Sequence, residues 1–292
     1  MISDLVEVYC LASNLTTKID SILEKNSSGR KPILSRAEYI TLAIIKQKRG
    51  IQTNKNLYEL VKYSMKSDFP QLPSYQQFCE GLESNCIYLL IINQLLGKLN
   101  ISCGDGNYIV DSTPLPICKV MHSNKKNAGY GIANYGKNLE GWFFGFKLHL
   151  IITIDMEIVS FKFTKGSTSD LKALDEWITQ DLKGNLFGDK GYISSKKNKK
   201  FVQKGLHLVT RPRKNMKKLP ADPLLVSLLA MRQRVETVFG QLKNTFMLIN
   251  RKTRSIQSFF ANTLASMFAY TISKKPEICY LKSNAFDHFL IS

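Results

Sequence analysis

The chain has 292 residues, of which 44% are hydrophobic and 22% are charged. This composition is ordinary for a folded globular protein and argues against disorder as the main state. The charge is unusual, because 41 Lys and Arg residues against 23 Asp and Glu residues give a formal net charge of +18. Such an excess points first to a polyanionic partner, of which nucleic acid is the commonest. A generally basic surface is the simpler alternative.

The cysteines and the apolar segments indicate in which cellular compartment the protein is found. None of the six cysteines forms a C-x-x-C pair, so no zinc or thioredoxin-like motif is present. The first ten residues contain Asp4 and Glu7 and lack the basic region of a secretory signal. The longest apolar stretch, residues 87–96, is interrupted by Asn93 and Gln94 and is too short to cross a bilayer. We expect a cytoplasmic protein with reduced thiols and no membrane partner.

Residues 1–100 carry helical patterns. Ser35 and Glu38 form a capping box in front of an apolar run, and Gly50 is expected to end that helix. Further helices are predicted from Asn54, after Ser74 and over residues 85–99. Short helices joined by short turns are typical both of helix-turn-helix modules and of helical bundles, and the pattern leaves both open. We expect residues 1–100 to form a helical domain that binds DNA ends.

Residues 101–292 alternate between strand and helix patterns. The predicted strands are 108–110, 143–154, 157–163, 186–187 and 206–210, and the predicted helices are 168–181, 193–203 and 223–250. The order β-β-β-α-β-α-β-α is typical of a ribonuclease-H-like fold, an α/β architecture with a mixed sheet flanked by helices. The Gly- and Asn-rich segment 127–141 is predicted as a loop.

Two aspartates directly follow short apolar strands in this half of the chain. Asp111 follows residues 108–110, and Asp189 follows residues 186–188. Sites in open α/β sheets are built at strand ends, and carboxylates are otherwise unfavourable in strands. Either aspartate by itself is also an ordinary turn residue. The repetition of the pattern favours a functional site.

The long helix predicted over 223–250 supplies a third carboxylate. Arg232, Glu236 and Lys243 fall within roughly 40° of one another around a helix with about 100° per residue. A surface row of ion pairs would show the same spacing.

Basic residues are concentrated between positions 190 and 218. This segment holds eleven Lys and Arg residues and no Asp or Glu. Apolar residues such as Phe201, Leu206 and Leu208 interrupt the run, so we expect a folded backbone that displays the cations. Displayed cations can neutralise phosphates, although a solvated basic face is the simpler reading.

Taken together, these motifs resemble the DDE transposases of bacterial insertion sequences, most closely the insertion sequence 982 type. The matching pieces are Tyr108-Ile-Val-Asp111-Ser112, Phe144-Gly-Phe-Lys-Leu-His149, Leu186-Phe-Gly-Asp189-Lys-Gly-Tyr192 and Arg232-x3-Glu236-x6-Lys243. The family signature has a Tyr three residues before the Arg, where this chain has Leu229. That difference removes a DNA contact but leaves the carboxylate untouched. The resemblance covers most of residues 101–260.

The resemblance implies an enzyme that cleaves DNA and transfers the 3′-hydroxyl end to target DNA. The implied catalytic residues are Asp111, Asp189 and Glu236, which would hold two Mg²⁺ ions, with Mn²⁺ as a substitute and Asp111 between the ions. The residues expected to contact DNA are Arg232, Lys243, Lys190, Arg211, Arg213 and Lys214. The implied partners are double-stranded DNA of the element ends and the target, and at least a second copy of the chain in the DNA complex. The implied location is the bacterial cytoplasm, at the nucleoid.

Three other functions are weighed against this one. A nuclease of the same superfamily would cleave without strand transfer, and an inactive DNA-binding relic would keep the carboxylates for structure. A glycosidase would also use paired carboxylates, but the basic composition counts against it.

The segment Gly131–Asn138 resembles a phosphate-binding loop, yet Asn138 replaces the hydroxyl that should meet the metal, and a strand pattern follows.

Two polar residues near the motifs are assigned structural roles. We expect His149 to be a hydrogen-bonded residue of the sheet rather than a ligand. We expect Asp170 to start a helix, and a supporting role behind the metal ligands stays open for it.

Overall fold

A computed structural model describes residues 2–23, 31–123, 129, 131–177, 182–193, 195–210, 223–249 and 255–280. The chain divides into two compact units, of which the first joins Met1–Leu95 to Gln241–Ser292 and the second is Leu96–Gly240. The sequence patterns placed the whole of 101–292 in one domain. The structure instead groups residues 241–292 with the N-terminal helices.

The first unit is helical. Its helices are α1 (Ile2–Ile22), α2 (Arg36–Lys48), α3 (Asn54–Ser64), α4 (Tyr75–Ser84), most of α5 (Cys86–Cys103) and, near the C-terminus, α10 (Ile256–Lys274). Helix α10 packs against α2 and α4 and is buried without interruption from Thr263 to Ile272. A helix that is buried on all sides is a core element. This burial explains why the C-terminal segment belongs to the helical unit.

The predicted starts of these helices are confirmed. The Glu38 N–H donates to Ser35 Oγ (3.2 Å) and the Ser35 N–H donates to Glu38 Oε2 (2.5 Å), which completes the capping box. Ser74 forms an equivalent box at the start of α4. Gly50 follows the end of α2 with φ +64°, a conformation that glycine adopts without strain. Each side-chain cap contributes about 1 kcal/mol to its helix.

One stretch among the described helices, Tyr75–Cys103, is long and apolar enough to cross a membrane by length and composition. It comprises α4 and α5, and it exceeds the apolar stretch read from the sequence because it includes α4. Core helices meet the same criterion. Within the helical unit, the buried Asn93 side chain donates to the carbonyls of Leu89 (2.7 Å) and Leu264 (3.0 Å), which ties α5 to α10.

The second unit is built on a six-stranded mixed sheet. Its strands are β1 (Asn107–Cys118), β2 (Asn134–Asn138), β3 (Gly141–Thr153), β4 (Ile158–Lys165), β5 (Gly184–Gly188) and β6 (Leu206–Thr210). One edge of β3 pairs with β1, and its other edge pairs first with β2 and then with β4. Parallel strands β5 and β6 continue the sheet beyond β1. This order confirms the predicted ribonuclease-H-like mixed sheet.

Helices flank this sheet as the sequence predicts. They are α6 (Asp170–Trp177), α7 (Ser195–Gln203), α8 (Pro223–Ala230) and α9 (Arg234–Asn244), the last of which extends past residue 240. The core between sheet and helices contains side chains from β1, β3, β4, β5, β6, α6 and α7, among them Val110, Ile151, Leu174, Leu186 and Phe201. The close approach of α5 to β4 requires Gly97, because a Cβ there would lie 2.1 Å from the Val159 carbonyl oxygen.

Three elements differ from the sequence predictions. Strand β1 does not end before Asp111 but continues to Cys118. The two prolines of this strand lie beyond Ile109, which is the last residue of β1 that pairs with β5. Proline is tolerated where a strand has an unpaired edge. Part of the predicted loop 127–141 is strand β2, which the Gly- and Asn-rich sequence concealed. The predicted helix 223–250 is interrupted by a 3-10 turn, Met231–Gln233, between α8 and α9.

Candidate active site

The parallel pairing of β1 with β5 brings two of the predicted carboxylates together. Tyr108 pairs with Leu186 and Ile109 with Phe187, so the same register continued by two residues sets Asp111 opposite Asp189. Neighbouring strands lie about 4.8 Å apart, which is the spacing that a shared ligand requires. Asp111 lies inside β1 rather than at its end, but it lies just beyond the part of β1 that pairs with β5.

A third residue from the sequence motif joins this pair. Arg232 lies in the 3-10 turn between α8 and α9, and its Nη1 atom is 3.5 Å from Asp189 Oδ1. The guanidinium also lowers the pKa of Asp111. The sequence predicts Arg232 as a DNA contact. In the structure it is the counter-charge of the two aspartates.

The surroundings of Asp111 disfavour the ionised form of its carboxyl group. The pKa of this carboxyl is raised to about 6, mainly by burial, and the negative charges of Asp170 and Asp189 contribute in the same direction. The Ser112 N–H donates to Asp111 Oδ1 (2.8 Å), and this bond, with Arg232, acts in the opposite direction. A half-buried carboxylate beside two others is stabilised by an added cation.

Asp170 lies on the other side of β1 and supports this arrangement. Its Oδ1 atom accepts hydrogen bonds from Ser112 Oγ (2.8 Å) and from Lys147 Nζ (3.2 Å). Lys147 also donates to the carbonyl of Thr168 (3.1 Å). Because Ser112 is held through its side chain and donates its backbone N–H to Asp111, Asp170 fixes the backbone that carries the Asp111 carboxylate.

His149 is a hydrogen-bonded residue of the sheet, as predicted. Its Nε2 atom lies 2.8 Å from Thr164 Oγ1, and its Nδ1 atom lies 3.9 Å from Asp170 Oδ1. Burial lowers the pKa of His149 to about 4, and this outweighs the opposite effect of Asp170. The imidazole is therefore neutral near pH 7, and its contact with Asp170 is not an ion pair.

Glu236 is the predicted ligand that the structure does not place in the cluster. It is exposed in the first turn of α9, one helical turn after Arg232. Within the described ranges, no group of three or more His, Cys, Asp and Glu side chains forms that could hold a metal ion. Asp111 and Asp189 are therefore brought together, and the three-carboxylate site remains a prediction.

The predicted DNA contacts have different locations. Lys190 is exposed directly after Asp189, in the 3-10 turn Lys190–Tyr192. Lys243 belongs to the helical unit, and Arg211, Arg213 and Lys214 lie outside the described residues. Leu229, which replaces the family Tyr, is buried on α8.

The phosphate-binding loop that residues 131–138 resemble does not form. Asn134–Asn138 is strand β2, paired with β3, and Lys137 Nζ lies 5.7 Å from the centre of the Trp142 ring. A phosphate-binding loop would precede a helix rather than sit in a hairpin.

A family model described as a transposase DDE domain matches residues 102–256. The chain belongs to the DDE transposase family. The matched region includes Asp111, Asp189 and Glu236, so all three predicted catalytic positions of this transposase lie inside it. Comparison with curated protein sequences gives no match.

Solved transposase complexes are also similar to the chain. A piggyBac transposase synaptic complex with hairpin DNA has 11% identity and a TM-score of 0.49, over 99% of this chain and 76% of that one. A pre-cleavage Mos1 transpososome has 12% identity and a TM-score of 0.23, over 86% and 82%. The Mos1 mariner paired-end complex with Mn has 13% identity and a TM-score of 0.24, over 90% and 86%.

Divalent metal ions are general to the DDE family, and the chemistry of two of the predicted ligands fits them. Asp111 and Asp189 offer hard oxygen donors from adjacent positions. Asp111 is a half-buried carboxylate whose pKa is raised to about 6, the condition that a bound cation relieves. Arg232 supplies the positive charge beside Asp189 in this structure.

Asp170 starts a helix, as predicted, but its contacts with Ser112 and Lys147 were not predicted from the sequence. A signal was present, because Lys147 and His149 alternate along one predicted strand and therefore face the same side. A half-buried lysine on a sheet face favours a carboxylate or carbonyl partner. Asp170, at the predicted start of a helix, could be the partner of Lys147. It lies too far along the chain from Lys147 for a local pattern to indicate the contact.

Proposed function

We propose that this transposase binds the ends of its own insertion sequence, hydrolyses DNA there and joins the 3′-hydroxyl end to target DNA. The observation that supports the proposal is the position of Asp111 and Asp189 two residues beyond the last paired residues of β1 and β5, with Arg232 beside Asp189, inside a region that matches the DDE family. The motif resemblance further supports a bacterial element of the insertion sequence 982 type. Such an enzyme acts at the nucleoid in the bacterial cytoplasm.

Three carboxylates are assigned to the metal ions. Asp111, Asp189 and Glu236 would hold two Mg²⁺ ions, for which Mn²⁺ substitutes. Bound metal supplies a nucleophile of lowered pKa and neutralises charge on the leaving oxygen. The Ser112 N–H fixes the rotamer of Asp111 through its bond to Oδ1. Because the Asp170 carboxylate holds the Ser112 hydroxyl, both groups keep Asp111 aimed at the site.

Arg232 is assigned to the DNA phosphates. Its guanidinium lies 3.5 Å from Asp189, on the partly exposed side of the site. From this position the guanidinium could bind a phosphate in the bidentate geometry that arginine favours, while a cation held by Asp189 would supply the counter-charge of that carboxylate.

The remaining cations of the proposed interface are Lys190, Arg211, Arg213, Lys214 and Lys243. The formal net charge of +18 supports a long DNA footprint, since each neutralised phosphate releases counterions. Both element ends must be held together for joining, so the active species is a homodimer or larger.

The decisive experiment measures cleavage of a labelled element end by the full chain in Mg²⁺. Asp111→Asn, Asp189→Asn and Glu236→Gln should each lower cleavage by at least about 100-fold, because the metal supplies several kcal/mol of stabilisation. DNA affinity in EDTA should be retained. The matched control is Asp155→Asn, an exposed aspartate in the β3–β4 turn of the same unit. Full cleavage by any of the three variants would remove that residue from the assignment.

A strand-transfer measurement separates the proposal from its nearest alternative. Labelled, precleaved ends are incubated with plasmid, and joined products are counted. Cleavage without joining identifies a nuclease of the same superfamily. DNA binding without cleavage in Mg²⁺ or Mn²⁺ identifies an inactive DNA-binding relic.

A further inference from the structure

The β2–β3 hairpin exposes apolar and aromatic side chains that the proposed active site does not use. Trp142 is 62% exposed, Tyr135 is 41% exposed, and Leu139 at the tip is fully exposed. Among the described residues, six of the sixteen exposed large hydrophobic side chains lie between positions 120 and 142. These are Val120, Met121, Ile132, Tyr135, Leu139 and Trp142. Concentrated exposure of this kind marks an interaction surface.

The register of the hairpin gathers its aromatic and basic side chains on one face. Tyr135 pairs with Phe144, and Lys137 pairs with Trp142. Directly opposite residues of antiparallel strands share a face. Tyr135 packs on Phe144 with ring centres 5.1 Å apart, and Lys137 Nζ lies 5.7 Å from the centre of the Trp142 ring. We call Tyr135, Lys137 and Trp142 the hairpin platform.

The hairpin platform lies on the same sheet face as Asp111. Side chains alternate along β3, so Trp142 shares a face with Leu150, and Leu150 pairs with Asp111. Leu150 lies eight residues after Trp142 along β3, a distance of about 26 Å at about 3.3 Å per residue. That distance corresponds to about eight base pairs of duplex DNA at 3.4 Å per pair. One DNA molecule can therefore reach both places.

We propose that the hairpin platform stacks on unpaired bases of the DNA substrate, with Trp142 as the main contact. This rests on the proposed function, since it takes DNA as the substrate. Base faces inside a duplex are covered by their neighbours, so the ring binds bases at a strand end or displaced from the duplex. Aromatic rings interleaved with cations are the usual means of binding single-stranded DNA.

Charge favours DNA over a second copy of this chain as the occupant. Residues 112–154 contain five lysines and a single acidic residue, Glu140, which lies in the hairpin turn. Lys137 lies directly beside the Trp142 ring, and lysine is depleted in the cores of protein–protein interfaces. Next to a DNA strand, the same ammonium neutralises a phosphate while the ring stacks on the base.

The tryptophan content of the chain allows a direct test. The chain has two tryptophans, and Trp177 donates its Nε1 hydrogen bond to Ser160 Oγ (3.0 Å). The variant Trp177→Phe leaves Trp142 as the only tryptophan. This full-length variant is titrated in EDTA with duplex DNA that carries an oligothymidine tail, and with the blunt duplex. The tailed DNA should quench Trp142 fluorescence and shield it from acrylamide, whereas the blunt duplex should do so much less.

Affinity measurements give the second readout. Trp142→Ala should lower the affinity for tailed DNA about 5-fold to 100-fold and leave the affinity for blunt duplex nearly unchanged. Trp142→Phe should retain most of the preference for tailed over blunt DNA, since it keeps a ring. The matched control is Tyr63→Ala, which removes a 73% exposed ring beside a lysine in the helical unit and should leave that preference intact.

Two results would overturn the proposal. The first is that tailed DNA binds, as shown by anisotropy of a labelled strand, but does not change Trp142 fluorescence and binds Trp142→Ala as tightly as the wild type. The second is a smaller sedimenting species for Trp142→Ala, which would assign the platform to contact between copies. Failure of the wild type to bind any DNA would instead refute the proposed function together with this inference. All measurements in EDTA are independent of cleavage.

Discussion

An ionisable side chain is buried in the helical unit and half-buried in the sheet unit, and the two units compensate its charge in different ways. In the helical unit, Lys46 Nζ donates to Asn54 Oδ1 (2.7 Å) and Asn262 Oδ1 (2.6 Å). In the sheet unit, Asp111 accepts the Ser112 N–H but also faces Asp170 and Asp189. Lys46 is satisfied by neutral amide oxygens. Asp111 lies near two charges of its own sign, which the guanidinium of Arg232 opposes.

Burial shifts both groups toward their neutral forms. It lowers the pKa of Lys46 from 10.5 to about 8, and it raises the pKa of Asp111 from 3.8 to about 6. The hydrogen bonds of Lys46 hold α2 against the start of α3 and against α10, so its polar group serves the fold. The arrangement at Asp111 lowers the free energy of unfolding unless a cation binds there. Such a cost is expected at a functional site rather than in a structural core.

The strongest test of this contrast is Asp111→Asn. We expect cleavage to fall at least about 100-fold, and we expect the free energy of unfolding without metal to rise by about 1 kcal/mol, because like-charge repulsion is removed. Urea unfolding in EDTA and the labelled-end cleavage assay measure the two quantities. A variant that is both inactive and clearly less stable would make Asp111 a structural residue.

The corresponding change in the helical unit is Lys46→Ala. It removes the donor shared by Asn54 and Asn262 and leaves a cavity, so the free energy of unfolding should fall by about 2–3 kcal/mol. The control is Lys48→Ala, an exposed position two residues later on the same helix, which should change stability by less than about 0.5 kcal/mol. Equal effects of both changes would show that Lys46 is not a buried anchor.

The pH dependence of stability sharpens the comparison. The folded-state pKa of Lys46, about 8, lies below its ordinary value of 10.5, so the unfolded chain binds more protons between these values. The stability of the wild type relative to Lys46→Met should therefore rise between pH 8 and pH 10.5, by about 2 kcal/mol. Below pH 8 the difference should be constant. Chemical denaturation at pH 7, 8.5 and 10 measures it, and a difference that does not change with pH would contradict the shift.

The smallest expected effect concerns the support behind Asp111. Asp170→Asn keeps a hydrogen-bond acceptor for Ser112 but removes the charge that pairs with Lys147. We expect about a tenfold loss of cleavage, typical of residues that orient a metal ligand. Glu176→Gln, on the exposed side of the same helix, is the control. A loss as large as that of Asp111→Asn would place Asp170 among the ligands themselves.

Local signals account for the parts of the fold that the sequence predicted well. The caps at Ser35 and Ser74 depend on residues three positions apart, and both helices begin where predicted. Strand β6 has the predicted bounds 206–210. The apolar runs before Asp111 and Asp189 are parts of β1 and β5, as predicted, although β1 continues past Asp111. In each case the physical cause lies within a few residues of the signal.

Long-range packing decided what the sequence by itself left open. The Gly- and Asn-rich strand β2 forms because β3 offers it hydrogen-bond partners, and 241–292 joins the helical unit because α10 is buried there. The contact of Asp170 with Ser112 joins residues 58 positions apart. Sequence therefore predicted the fold class, since local periodicity encodes it, and the resemblance of its motifs to the DDE family supplied the candidate carboxylates. Tertiary structure decided which charges surround each carboxylate, because that depends on which distant segments pack together.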